Sequence, residues 1–317
     1  MPHVETLRGP VDTSQLGFTL MHEHVFVLSE GVNENFPSLW NESERIADAR
    51  KRLQEMIDAG VQTIVDLTVH GTARNVPRVQ NVIGDMPLNV IVATGLYTYD
   101  EVPRHFQSRD ENYMADLFVR DISQGVQNTM VKAAVLKCAT DEPGVTAGVE
   151  KALRAVARAH RRTGVPISTH THAPTKRGLE QQSIFEQEGV DLGRVVIGHS
   201  GDSEDLDYLQ QLMKRGSYIG MDRFGVDVYL PTEKRVAVIA RLCELGYAGK
   251  MVLSHDASCY MDWYPADLLR ANVPRWHFRH ISDDVLPALR QSGVSDEQID
   301  TMMVANPRRV FESQGTY

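Results

Sequence analysis

Short β-branched runs alternate with amphipathic helical segments along nearly all of the 317 residues, and this alternation restricts the fold more than any other feature. The strand candidates are Thr19–His22, Thr63–Thr68, Asn89–Thr94, Ala133–Lys137, Pro166–His170, Val195–His199, Ser217–Asp222 and Met251–Asp256. Val195-Val196-Ile197 and Met251-Val252-Leu253 are apolar without interruption, the pattern of parallel strands covered on both faces. Helical spacing links Ile46, Ala49, Leu53, Met56 and Ile57 between Asn41 and Gly60, and Leu153, Val156 and Ala157 before Gly164. It recurs in Leu206, Leu209 and Leu212 after an acidic start at 203–205, and in Val236, Ile239, Ala240 and Cys243 before Gly246. A polar start and a glycine just past the end satisfy the orphan backbone groups of each helix. Eight such units without a low-complexity linker or internal repeat predict an α/β fold, one (β/α)8 TIM barrel filling residues 1–317 as a single domain. A doubly wound open sheet is the competing architecture, but no Gly-rich phosphate loop follows the first strand.

Charge narrows the partners. Lys and Arg number 33 against 42 Asp and Glu, a formal charge of −9, with no basic run to grip a phosphate backbone, so nucleic acid is not expected. The three cysteines, Cys138, Cys243 and Cys259, are widely separated and form neither a disulfide framework nor a paired-cysteine zinc pattern. The first residues lack a signal-peptide pattern and no apolar run reaches membrane-spanning length, so a cytoplasmic protein without membrane insertion is the expectation.

The residues that close the strands carry the chemistry. His22 and His24 end the first, Lys137 the fourth, His170 the fifth, His199 the sixth and Asp256 the eighth. In a barrel all strand C-termini face one mouth, so these side chains converge there. Strand alternation puts His22 and His24 on one side, able to grip one ion together. Imidazoles and a carboxylate are the ligand set of zinc, cobalt, manganese or iron. Each residue alone has a plainer reading: a hydrogen-bonded core histidine, or an aspartate capping the next helix. Joint placement at several strand ends favours the metal. His3, His70, His105, His160, His172, His255, His277 and His280 read as surface or loop residues without a metal role.

Lys137 closes the apolar run Ala133-Ala134-Val135-Leu136. Burial beside cations favours its neutral amine, which reacts with CO₂ to give an anionic carbamate able to bridge two metals. The alternative is an ion pair with Asp256 or Asp141. With two divalent ions, a carbamate, Asp256 and a hydroxide, the site keeps about one positive charge, suited to a polarised carbonyl or an oxyanion.

The ordered segments 16–24, 94–97, 136–137, 197–199, 220–225, 253–256 and Asn306-Pro307 resemble those of the phosphotriesterase-like lactonases of the amidohydrolase superfamily, over essentially the whole chain. The resemblance implies a (β/α)8 barrel with two divalent metals, zinc foremost, with cobalt, iron or manganese as alternatives. It implies that His22, His24 and Asp256 hold the more buried ion, that His170 and His199 hold the other, and that a carboxylated Lys137 and a hydroxide bridge them. Tyr97 matches a tyrosine projecting over the metals, and Arg223 an arginine at the mouth; either could instead be structural, Arg223 through an acid such as Asp222 or Asp256. Lactone opening, including N-acyl-homoserine lactones and hence quorum quenching, is the implied activity, with weak side activity on organophosphate triesters and a homodimeric state. Asp256 would act as the proton carrier, aided by Tyr97.

Two long segments, Leu96–Asn112 and Ala257–His280, fall outside the alternation and read as functional loops. The apolar content after the seventh and eighth strands must cover something, an acyl-chain channel or a subunit interface. Tyr229, Met261 and Trp263 are the candidates for substrate contact. A deaminase of the same superfamily is disfavoured because no His-x-x-Glu follows the fifth or sixth strand. A cyclic-amide hydrolase, or a barrel holding metals only for structure, remains as an alternative.

Overall fold

A computed structural model describes residues 2–312 and 315–317 of the chain. The chain enters through an antiparallel hairpin, β1 (His3–Thr6) and β2 (Gly9–Asp12), that sequence analysis did not anticipate. A parallel sheet follows in chain order: β3 (Thr19–Val27), β4 (Thr63–Asp66), β5 (Asn89–Gly95), β6 (Val135–Thr140), β7 (Ile167–Thr171), β8 (Val195–Ile197), β9 (Tyr218–Met221) and β10 (Met251–Leu253). A short extra strand, β11 (Ser258–Met261), pairs in parallel with β3, Ser258 opposite His24 and Tyr260 opposite Phe26. Between β10 and β11 the Asp256 N–H donates to the His22 carbonyl at 2.9 Å, and the His24 N–H to the Ala257 carbonyl at 2.9 Å. These bonds close the last strand onto the first and make the sheet a barrel.

Helices Glu42–Asp58, Val76–Ile83, Glu111–Ser123, Ala147–Thr163, Arg177–Gln187, Leu206–Lys214 and Thr232–Glu244 follow β3 to β9 in turn. The caps are as the sequence suggests: Asn41 and Thr146 accept from backbone N–H groups two residues inside their helices, and Gly164 ends its helix left-handed. At Leu206–Lys214 the cap is Asp205, the last residue of the acidic start. Strand side chains divide into two apolar layers. Met21, Val65, Ile91, Val135, Val196 and Val252 fill the barrel interior, plugged from below by Val4, Leu16 and Phe311. Leu20, Ile64, Val90, Leu136, Ile197 and Leu253 face the helices and pack against residues such as Leu53, Leu153 and Leu209.

One irregularity decides the site. From the Leu20/Ile64 pair to the Glu23/Asp66 pair, β3 advances by one residue more than β4. This bulge reverses the alternation, so Met21 packs in the interior and His22 and His24 line the mouth, while Glu23 turns outward. The expected strand ends also shift. β3 runs past His22 to Val27 and β6 past Lys137 to Thr140, so these residues lie within the strands; His199 and Asp256 lie just beyond β8 and β10.

Gly95 backs directly onto Lys137. Its φ of +143° suits glycine, and a Cβ there would collide with the Lys137 carbonyl oxygen. Gly95→Ala is expected to lower the unfolding free energy by about 3 kcal/mol, read from urea denaturation. An unchanged denaturation midpoint would contradict the close approach.

Candidate metal centre

At the mouth of the barrel four imidazoles and a carboxylate converge, each histidine fixed through its outer nitrogen. His22 Nδ1–H donates to Asp222 Oδ2 at 2.9 Å, and His199 Nδ1–H to Asp222 Oδ1 at 2.8 Å. His24 Nδ1 lies 2.8 Å from Thr68 Oγ1, whose own proton goes to Asp66 Oδ1 at 2.5 Å, so the imidazole is the donor. His170 is turned the other way, with Nε2–H donating to Asp141 Oδ2 at 2.6 Å. In each neutral ring the second nitrogen therefore keeps its lone pair and faces the mouth. Asp256 completes the group: Oδ1 is 3.3 Å from His22 Nε2 and 3.1 Å from His24 Nε2, and Oδ2 is 3.7 Å from His199 Nε2. The ligand atoms of His22, His199 and Asp256 all lie within 4.8 Å of one another, close enough to hold a metal ion. Donor type, tautomer and direction fit such an ion, and the outer carboxylates are the partners that metal-binding imidazoles require.

Lys137 is fully buried, with Nζ 3.1 Å from His22 Nε2. Neither ion pair of the alternative reading forms: Asp256 faces the histidines and Arg223, and Asp141 is bound to His170. Burial lowers the Lys137 ammonium to about 8, so a neutral amine is accessible near physiological pH. Burial also lowers His22 and His199, and takes His170 down to about 4. Asp256 goes against its own burial, held well below the carboxylate range by His22, His199 and Arg223.

Arg223 donates from Nε to Asp256 Oδ2 at 3.2 Å and from Nη1 to Asp202 Oδ2 at 2.9 Å. Asp222, the other acid considered for it, is instead occupied by the two histidines. Asp202 is itself gripped by the buried Arg235 at 2.6 Å, so a chain of alternating charge runs inward from Asp256. Burial disfavours the Arg223 cation, but Asp202 and Asp256 outweigh it and keep it charged. Tyr97 places its hydroxyl 3.3 Å from His170 Nδ1 and in contact with the Tyr99 hydroxyl; burial and Tyr99 raise its pKa, so it stays protonated.

Above this floor opens a cleft of about 300 Å³. All the expected contact residues line it: Tyr97, Arg223, Tyr229, Met261 and Trp263, together with Val226, Leu268 and Trp276. The Trp263 ring lies 6.0 Å from that of Tyr97, and the Arg223 guanidinium sits 4.9 Å above the Tyr229 ring. Met261 reaches the cleft because β11 carries it there.

Several roles escaped sequence analysis, which weighed Asp222 only as a partner of Arg223 and Asp141 only as a partner of Lys137. Asp222 ends a predicted strand, so the rule that found Asp256 also points to it. Asp141 lies one residue past β6, and Tyr99 two residues past Tyr97; Thr68 ends a predicted strand, as Asp222 does. His160, His255 and His280 correct the expectation of surface histidines, since all three are fully buried and hydrogen-bonded.

A closed parallel barrel with metal-type ligands and a cleft at its C-terminal mouth belongs to the class of barrel enzymes that place their site where the strand ends converge. The model of the phosphotriesterase family matches residues 2–311, and the chain belongs to that family of hydrolases. It is 57% identical over 325 residues to a phosphotriesterase homology protein of Mycobacterium tuberculosis, covering 100% of both chains. It is 41% identical over 306 residues to an aryldialkylphosphatase of Saccharolobus solfataricus, covering 96% of this chain and 98% of that one. The solved structure of the phosphotriesterase from Mycobacterium tuberculosis superposes with a TM-score of 0.97 at 56% identity, covering 100% of both chains. Among the described residues no helix is long and apolar enough to cross a membrane.

The lowered imidazoles make a pH prediction for the protein stripped of any ion. As pH falls from 6.5 toward 4, the unfolded chain takes up protons that His22, His170 and His199 refuse, so stability must fall across this window. Urea unfolding of chelator-treated protein at several pH values checks this, and a flat profile would contradict it.

Proposed function

We propose that the protein is a metal-dependent lactonase, opening γ- and δ-lactones including N-acyl-homoserine lactones. In this reading it hydrolyses aryl dialkyl phosphates as a weaker side reaction. The observation that carries the reading is the set of imidazoles whose outer nitrogens are all anchored and whose inner nitrogens converge with Asp256 under an apolar cleft. His22, His24 and Asp256 would hold one divalent ion, His170 and His199 a second, and Lys137 as its carbamate would supply anionic oxygens to both. Zinc suits the ligand set best, and cobalt, iron or manganese fit the same donors. Such ions, when bound, polarise an ester carbonyl and lower the pKa of water to about 7.

The chain's own groups do the rest. Arg223 fixes Asp256 Oδ2. Asp256, held ionised, takes a proton from the attacking water on a carboxylate oxygen and delivers it to the ring oxygen as the C–O bond breaks, leaving a hydroxy acid. Tyr97, still protonated, presents an O–H donor beside the same oxygen. Trp263, Met261 and Tyr229 receive the acyl chain. A lactone is flat at its carbonyl and carries its chain on one side, which matches a cleft with a polar floor and an apolar flank. Tyr264 and Leu268, exposed at the rim, suit a second copy in a homodimer.

The name of the relative from Saccharolobus solfataricus favours a second reading, in which a phosphotriester is the main substrate. Hydrolysis of a panel of lactones, acyl-homoserine lactones and an aryl dialkyl phosphate, on protein of measured metal content, separates the two. The lactonase reading expects the highest kcat/KM on a lactone; a phosphotriester in first place would overturn it.

Variants give sharper tests. Lys137→Ala is expected to lose about 10³-fold in kcat/KM, with part of the activity returned by a short carboxylic acid in the assay. Normal rates with two ions bound would refute the bridging role. Trp263→Ala should change the preference among acyl-chain lengths by about 1–3 kcal/mol in transition-state binding, while a short lactone reacts almost as before. A chain-length profile that does not move would assign Trp263 elsewhere.

A further inference from the structure

Glu23 stands between His22 and His24 in sequence, yet the bulge in β3 turns its carboxylate away from them toward the barrel seam. It is fully buried, and its partners are donors on the segment that carries Asp256. Oε1 accepts from Ser254 Oγ at 2.8 Å, from the His255 N–H at 2.8 Å and from His255 Nδ1 at 2.8 Å. Oε2 accepts from the Ala257 N–H at 2.9 Å. The His255 tautomer follows from its other side: Ile281 N–H donates to Nε2 at 3.0 Å, so the ring proton is on Nδ1, directed at Glu23. Ser254 Oγ, while donating to Glu23, accepts the His22 N–H at 2.9 Å.

Asp256 therefore hangs between neighbours that are all tied to one carboxylate. Its own backbone has φ +55°, a left-handed conformation that a residue other than glycine keeps only where its surroundings fix it. The restraint also reaches the wall of the cleft, because Trp276 Nε1–H donates to the His255 carbonyl at 2.8 Å.

We infer that Glu23 is a positioning residue: its carboxylate holds residues 254–257 so that Asp256 aims at the imidazole cluster, and His255 extends the same hold to the loop over the cleft. This rests on the reading of Asp256 as a metal ligand. A cluster serving stability alone would cost denaturation midpoint and nothing else. A positioning role also alters the geometry of the ion's surroundings and the chemical step, leaving the substrate walls in place.

The test compares wild-type protein with Glu23→Gln, His255→Gln and His255→Leu, using cobalt as the probe. Glu23→Gln puts an amide N–H against a donor and is expected to weaken cobalt binding about 10- to 100-fold. It should also change the shape of the visible cobalt absorption and lower kcat on a lactone, with KM within about twofold of wild type. His255→Gln keeps one donor and one acceptor and should retain wild-type cobalt binding, whereas His255→Leu should follow Glu23→Gln. Wild-type affinity and spectrum in Glu23→Gln would overturn the inference. If that variant does not fold, equal cobalt binding by the two His255 variants would overturn it instead. Wild-type protein that binds no cobalt or zinc would remove the metal reading together with this inference. A metal-binding wild type whose variants match it would remove this inference alone.

Discussion

Asp222 lies buried between two imidazoles, one oxygen taking the Nδ1–H of His22 and the other that of His199. Removing a carboxylate from water is costly, and this one stays ionised because the two rings supply the hydrogen bonds that water would have made. In return it selects one tautomer in both rings, so both Nε2 lone pairs point into the same small volume. Without it each imidazole would be free to flip or to exchange tautomer, and the rest of the site would face an undefined target. Thr68 and Asp141 do the same for His24 and His170, which makes the outer hydrogen bonds, more than the presence of histidine, the condition for a metal centre here.

The barrel supplies this geometry at a local cost. His199, Arg223 and Asp256 all adopt positive φ at the ends of successive strands, at +57°, +63° and +55°. Such conformations cost about 1–3 kcal/mol each and survive where surrounding bonds over-determine them. Those bonds are visible: His199 N–H to Asp222, Arg223 to Asp202 and Asp256, and the backbone bond from Asp256 to His22. The closed sheet is thus both scaffold and constraint. The seam that completes the barrel is also where Asp256 meets its partners.

Much of this was legible in the sequence because both of its main signals are periodic. The alternation of β-branched runs with capped amphipathic helices gave the barrel, and a barrel brings strand ends together, which is why His22, His24, His170, His199 and Asp256 could be named in advance. The same reasoning missed what Asp222 does, although it too closes a predicted strand, because it was weighed only as an ion-pair partner of Arg223 and not as an anchor for histidines. The bulge in β3 left no trace in composition, yet it determines that His22 and His24 face the mouth and that Glu23 faces away. The N-terminal hairpin and β11 were missed because His3–Thr6, Gly9–Asp12 and Ser258–Met261 carry no run of β-branched apolar residues and are only partly buried. The buried His255 and His280 were misjudged because a lone histidine in a loop has no periodic pattern to show its partner, whereas His160 continues the apolar face of Leu153, Val156 and Ala157 and was misjudged against that pattern.

The account depends on ions sitting where the inner nitrogens point. Anomalous diffraction at the absorption edge of the metal found in freshly purified, active protein tests this most directly. The account predicts two peaks, one within bonding distance of His22, His24 and Asp256, the other of His170 and His199, with Lys137 reaching both. Active crystals with no anomalous peak at these residues would contradict it.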